Sequence, residues 1–144
     1  MTENEGVQTV ERQAPHPLLR TLDVLVGTWN VSGEAHGQVS FEWMTGGYFL
    51  MQRVNLGGSK GVEIIGYDAA SNSLKSRYFG NGGEILEYTY EVEDDTLIVS
   101  IDMPHAEGDF IGTFNADRSA ISGSWEWVEN GVAKGYDATL TRAR

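Results

Sequence analysis

The chain lacks cysteine and has few basic residues. Its 144 residues include no Cys, which excludes a disulfide framework and a thiolate metal site. Lys and Arg together number 10 against 21 Asp and Glu, and the formal net charge is −11. A surface this acidic repels a phosphate backbone, so nucleic acid is not expected as a partner.

Long apolar runs are also missing. No stretch approaches the roughly 18 apolar residues of a membrane-spanning helix, so no membrane partner is expected. Residues 1–14 are acidic and polar, without the basic start and apolar centre of a secretory signal. They contain almost nothing that could be buried, which predicts a disordered arm before one domain at residues 15–144. Together with the missing Cys, these features favour a cytoplasmic protein.

A short helical pattern precedes a long β pattern. Apolar residues spaced three and four apart between Leu18 and Val26 predict a helix of two to three turns near residues 16–26. From Trp29 onward, apolar and polar residues alternate, which is typical of strands with one buried face. The chain therefore belongs to the all-β class, with one helix near its N-terminus.

The alternating segments and the turns between them predict an antiparallel up-and-down β-barrel. About ten strands are predicted, near 29–35, 38–45, 48–55, 61–68, 73–79, 84–92, 96–103, 109–115, 120–128 and 134–142. Short breaks rich in Gly, Asn and Asp connect them, so chain neighbours should pair antiparallel. Closure into a barrel removes exposed edges, and the helix would cap one end. A β-sandwich is the alternative.

Strand parity predicts which side chains face the barrel interior. They are Leu86, Tyr88, Tyr90, Val92, Leu97, Val99, Ile101, Met103, Phe110, Phe114, Ile121, Trp125, Trp127, Tyr136, Ala138 and Leu140. Gly112 and Gly123 fall in the same registers. A missing side chain there lets a strand bend or leaves volume inside the barrel.

The segment Gly27-Thr28-Trp29 resembles the Gly-x-Trp opening of the calycins, which include lipocalins, fatty-acid-binding proteins and nitrobindin-like barrels. In lipocalins this Trp packs across the closed end of the barrel, and an Arg on the last strand covers its ring. The resemblance implies those roles, and a cation–π contact, for Trp29 and Arg142. Residues 46–52 and 66–68 are similar to uncharacterised bacterial lipocalin-like proteins. About ten strands resemble fatty-acid-binding proteins and nitrobindin more than the eight-stranded lipocalins.

The resemblance does not extend to haem. Nitrobindins bind haem through a His on a late strand, whereas this chain has no His between Glu107 and Arg144. No phosphate-cradling Gly motif or His cluster is present either. We therefore expect no cofactor and no metal.

Seven residues are predicted to bind a small, largely apolar or aromatic ligand inside the barrel. They are Trp43, Arg53, Tyr67, Tyr88, Tyr90, Trp125 and Trp127. The aromatic members could line a pocket or simply fill the barrel. Arg53, or Arg77 on the next strand but one, would hold a ligand carboxylate if it faced inward. An exposed Arg paired with an acidic side chain is the interpretation we favour, because both faces of these strands carry apolar residues.

Two other functions are left open by the sequence. Asp102 and His105 are predicted near a barrel mouth, and Tyr88 or Tyr90 could supply an acidic hydroxyl, as an isomerase, cyclase or decarboxylase would need. A solvated His beside an Asp is more often only surface. A filled barrel acting in protein interaction is the third possibility. Large side chains on both faces at residues 49–51 and 64–65 predict an outer surface covered by the helix or by a second copy in a homodimer.

Overall fold

In the computed structural model, which describes residues 13–144, ten antiparallel strands close into a barrel. The strands are β1 Gly27–Gly33, β2 Gly37–Trp43, β3 Phe49–Leu56, β4 Ser59–Asp68, β5 Ser73–Gly80, β6 Ile85–Glu93, β7 Thr96–Ile101, β8 Gly108–Phe114, β9 Ala120–Glu129 and β10 Val132–Arg142. The predicted all-β barrel is confirmed. The predicted arm lies almost entirely outside the described residues, so its disorder stays a prediction.

The first and last strands close the barrel. Each strand pairs with its neighbours in the chain, and β1 also pairs with β10, with Trp29 opposite Arg142. On its other side, β1 pairs with β2 and places Trp29 opposite Val39. Every strand therefore has two partners, which removes the edges that a β-sandwich would leave and excludes that alternative.

The predicted helix is present and is a 3₁₀ helix at Pro17–Leu25. Its buried residues are Leu19, Leu22 and Leu25, which recur every three residues and so align on one face of a 3₁₀ helix. His16 caps the helix, because its Nδ1 accepts a hydrogen bond from the backbone N–H of Leu18 at 3.0 Å. Within residues 13–144, no helix is long and apolar enough to cross a membrane.

Trp29 and Arg142 join the helix to the closed end of the barrel. Trp29 is fully buried, and its indole N–H donates to the carbonyl of Leu25 at 2.8 Å. The guanidinium of Arg142 lies 4.2 Å above the Trp29 ring and donates hydrogen bonds to the carbonyls of Val24 and Val26. The contact implied by the calycin resemblance is therefore present.

Most of the predicted inward side chains are buried or line the interior, whereas Met103 lies beyond the end of β7. The open volume expected at Gly112 and Gly123 is filled. An added Cβ would lie 2.6 Å from the Phe110 ring at Gly112 and 2.8 Å from it at Gly123. The ring of Phe110 therefore occupies the space that the two glycines leave, and no open volume results there. Gly112 and Gly123 face each other across β8 and β9, so the ring covers both strands.

The outer wall carries large apolar side chains, as expected for residues 49–51. Phe49 points outward and is 47% exposed, whereas Leu50 is completely buried inside. Elsewhere on the outer wall, Phe79 of β5 and Ile85 of β6 are opposite each other and are about half exposed. Within residues 13–144, these three side chains are left only partly covered.

Candidate ligand-binding site

The barrel contains a cavity of about 420 Å³ in the half that lies away from the helix. The half next to the helix is filled by fully buried side chains such as Trp29, Leu50 and Ile65, none of which lines the cavity. On the same strands, residues further from the helix, such as Val31 and Val54, do line it. The helix therefore closes one end of the barrel, and the strands continue past it to enclose a space.

Four of the seven predicted site residues come together in this cavity. Tyr88, Tyr90, Trp125 and Trp127 all line it. Trp125 lies edge-on to Tyr88, with ring centroids 6.0 Å apart, and Trp127 meets Tyr136 in the same way at 5.8 Å. Edge-to-face packing is a favourable arrangement for aromatic rings, and these two pairs form part of the cavity wall.

Trp43 and Tyr67 have inward parity but lie at the helix end of the barrel. The Trp43 indole N–H donates to Asp23 at 2.8 Å, and the guanidinium of Arg20 covers its ring at 4.2 Å. The ring of Tyr67 stacks on His16 with centroids 3.8 Å apart. These two aromatics hold the helix and do not line the cavity.

Arg53 and Arg77 lie on the outer face of the barrel. The Arg53 side chain is 62% exposed, and its Nε lies 3.8 Å from Glu42. Arg77 pairs with Glu87 at 3.3 Å. Neither guanidinium enters the cavity, because β3 directs Gln52 and Val54 inward and Arg53 outward. Both take the exposed, paired position that the sequence analysis favours, and neither could hold a ligand carboxylate inside.

Glu63, which the sequence analysis did not single out, is the central polar group of the cavity. It is only 3% exposed, and both of its carboxylate oxygens accept hydrogen bonds. The hydroxyl of Ser76 donates to Oε2 at 2.5 Å, and the hydroxyl of Tyr90 donates to Oε1 at 2.7 Å. Burial raises the pKa of Glu63, and the two hydrogen bonds oppose this rise without cancelling it.

Three tyrosines surround Glu63. Tyr78 lies opposite it in the β4–β5 register, and Tyr90 is hydrogen-bonded to it. Burial raises the pKa of Tyr88 to about 12, with a smaller contribution from the negative charge of Glu63. Within residues 13–144, the hydroxyls of Tyr78 and Tyr88 donate to no side chain or carbonyl. They are available to a molecule in the cavity.

A sequence signal for Glu63 exists but is weak. Glu63 shares strand parity with Ile65, which is completely buried, yet it is flanked by Val62 and Ile64 on the other face. Because both faces of this strand carry apolar residues, the sequence pattern does not decide which face points into the barrel. Gly61, two residues earlier on the inner face, leaves the room that the hydroxyl of Tyr78 occupies.

Asp102 and His105 do not form a pair inside the barrel. Both lie beyond the end of β7, where Asp102 is 3.3 Å from Lys75 on the outside. His105 is exposed, and neither residue lines the cavity. Within the barrel, the groups placed for proton transfer are Glu63 and the tyrosines beside it, of which Tyr90 is already hydrogen-bonded to the carboxylate.

The lining carries charge of one sign only. Among the described residues that surround the cavity, Glu63 is the one acid, and none is Lys, Arg or His. The remaining lining is mainly aliphatic and aromatic, with Gln52 and Ser59 as neutral polar groups.

No protein-family model matches the chain, and no curated protein matches its sequence. Function is therefore argued from the chemistry of this lining.

Proposed function

We propose that the protein binds one small, largely apolar or aromatic molecule inside the barrel. The observation that carries the proposal is the cavity of about 420 Å³, which falls within the range of small-molecule sites, roughly 300–1,000 Å³. Its walls are mostly apolar, and a few polar groups converge at Glu63, which is the usual composition of a specific pocket. Burial of the ligand's apolar surface would supply most of the affinity.

Membership of the calycin-like barrels is part of the same proposal. The closed ten-strand barrel and the cation–π contact between Arg142 and Trp29 support it. Such a protein would act as an intracellular carrier or sensor of its ligand. A cytoplasmic location agrees with the absence of Cys from the sequence.

A neutral fluorescent dye, N-phenyl-1-naphthylamine, tests the binding proposal. We expect its emission to rise on mixing with the protein, because the dye leaves water for an apolar site. Val54→Phe places a larger side chain in the cavity and should weaken binding at least tenfold. Asn55→Phe makes a similar change on the outer face of the same strand and should leave binding unchanged.

Two results would reject the proposal. One is the absence of a saturable rise in dye emission while circular dichroism reports an intact barrel. The other is an equal effect of Val54→Phe and Asn55→Phe, because the dye would then bind the surface. In either case a filled barrel acting in protein interaction would become the better assignment.

A proton-transfer enzyme is the second candidate, favoured by the contact between Glu63 and Tyr90 in an apolar cavity. Ionised Glu63 would take a proton from the carbon next to a ketone, and the hydroxyl of Tyr88 would donate to the ketone oxygen. Deuterium exchange of cyclohexanone in D₂O, followed by NMR, measures this step. If the protein is such an enzyme, it must speed the exchange above the rate in buffer alone, and Glu63→Gln must abolish that acceleration.

A further inference from the structure

The cavity is suited to a cation rather than to an anion. Glu63 is the single acid in the described lining, and no basic side chain there could balance a second negative charge. A ligand carboxylate would lie in a poorly solvated space beside a group of the same sign, which is strongly unfavourable. The arginines proposed from the sequence as carboxylate partners, Arg53 and Arg77, are on the outside.

Aromatic rings in the lining around Glu63 add to this preference. Tyr78 and Tyr90 adjoin the carboxylate, and Tyr88 packs edge-on against Trp125 in the same lining. The face of an aromatic ring carries the negative part of its quadrupole and attracts cations, including ammonium groups without N–H donors. The formal net charge of −11 also raises the local concentration of cations around the protein.

We propose that the ligand carries one positively charged nitrogen on its apolar body, and that this nitrogen pairs with Glu63 among the tyrosine rings. The proposal deepens the binding function above and rests on it. The hydroxyls of Ser76 and Tyr90 hold the carboxylate in place and leave two of its roughly four lone-pair positions open. A buried pair of this kind is favourable only with such additional hydrogen bonds.

Binding of the cation is linked to the protonation of Glu63. The groups that face Glu63 are Ser76 and Tyr78 from β5, Tyr88 and Tyr90 from β6, and Gln52 from β3. None of them is basic, so the cation itself would be the counter-ion of the ionised carboxylate. Protonated Glu63 is neutral and does not attract a cation. The affinity for a permanent cation should therefore rise with pH until Glu63 is ionised.

A charged ligand and its uncharged isostere separate this proposal from simple apolar binding. Benzyltrimethylammonium and neopentylbenzene differ only in the replacement of the quaternary nitrogen by carbon. We expect the cation to displace the naphthylamine dye at least tenfold more effectively. Glu63→Gln should reduce that ratio to about one, and Glu91→Gln, which removes an exposed acid on the outer face of β6, should leave it unchanged.

The wild-type protein supplies a second measurement if Glu63→Gln does not fold. Between pH 4 and 9, the affinity for benzyltrimethylammonium should rise and then level off, while that for neopentylbenzene stays constant. Equal binding of the two compounds at all pH values, or tighter binding of 3-phenylpropanoate, would overturn the cation proposal and leave the binding function standing. Failure of the dye and of both compounds to bind would overturn the binding function as well.

Discussion

Trp29 connects three parts of the molecule through one side chain. Its ring fills the closed end of the barrel, its N–H holds the last residue of the helix, and its upper face supports Arg142 of the final strand. The guanidinium of Arg142 also donates to the carbonyl of Arg118 at 2.8 Å. Substitution of this one Trp therefore removes apolar contacts and leaves polar partners unpaired at the same time.

We expect Trp29→Ala to lower the free energy of unfolding by about 3–5 kcal/mol, as for other large side chains deleted from a tight core. Chemical denaturation followed by circular dichroism measures this loss. Trp43→Ala is the comparison, because Trp43 is only partly buried and should cost less. A loss below about 1 kcal/mol for Trp29→Ala would show that this side chain does not hold the closed end together.

Glu63 makes the stability of the barrel depend on pH with a sign opposite to that of most acids. Its pKa is raised in the folded state, so the folded protein keeps a proton that the unfolded chain loses. Stability from this group is therefore full below the unfolded pKa, near 4.5, and falls as the pH rises toward the folded pKa. Above the folded pKa the contribution stays constant.

Glu63→Gln removes this dependence while keeping the shape of the side chain. The free energy of unfolding of the variant minus that of the wild type should therefore increase as the pH rises from 4.5. Urea denaturation at several pH values measures the difference, in which the contributions of the other acids cancel. A difference that stays constant with pH would mean that the Glu63 pKa is the same in both states.

Strand parity identified the inward residues but not their position along the barrel axis, between the helix end and the cavity. Tyr88, Tyr90 and Trp125 line the cavity, as the alternation suggested, because a period of two fixes the face of each strand. Trp43 also has inward parity, yet it meets the helix because of where its strand ends. That position follows from the stagger of all ten strands, which no local pattern contains. Glu63 was missed because apolar residues lie on both faces of its strand.

At the level of elements, the helix acts as an apolar lid on one end of the barrel. Leu19, Leu22 and Leu25 are almost completely buried and share one face. The spacing of these residues predicted a helix, and in the observed 3₁₀ geometry their repeat of three places them on one face. Pro17 at the start fixes the first turn, and the hydrogen bonds of His16 and Trp29 hold the two ends.

We expect Leu22→Ala to destabilise the protein by about 2–5 kcal/mol, because the lost side chain is completely buried between the helix and the barrel. Thermal unfolding and chemical denaturation measure the effect. Arg20→Ala alters an exposed residue of the same helix and should cost less than about 1 kcal/mol. Comparable losses for the two variants would contradict the assignment of the helix as a packed lid.

The order and the approximate positions of the strands could be predicted because hairpin signals are local. Asn130 and Gly131 both have positive φ, 51° and 76°, as a two-residue hairpin loop between β9 and β10 requires. The strand predicted at 134–142 begins earlier, at Val132, since such a loop leaves no unpaired residues beside it. Closure of β1 on β10 was inferred only from the number of strands and the cost of open edges.

At the scale of the whole molecule, the outer apolar face and the acidic net charge act in opposite directions on self-association. Phe49, Phe79 and Ile85 expose apolar area that a second copy could cover, whereas like charges repel. The homodimer therefore stays a prediction. Sedimentation velocity at low and at moderate salt should show a dimer that becomes more abundant with salt, because screening weakens the repulsion. A monomer at every salt concentration would reject it.

The central claim is that the barrel is hollow and holds a small molecule beside Glu63. X-ray diffraction from crystals equilibrated with bromobenzene, a small neutral aromatic compound, tests it most directly. Our account predicts an anomalous bromine peak inside the barrel, between Glu63 and Trp125 and away from the helix. An interior filled by side chains, with bromine only on the outer surface or nowhere, would contradict it.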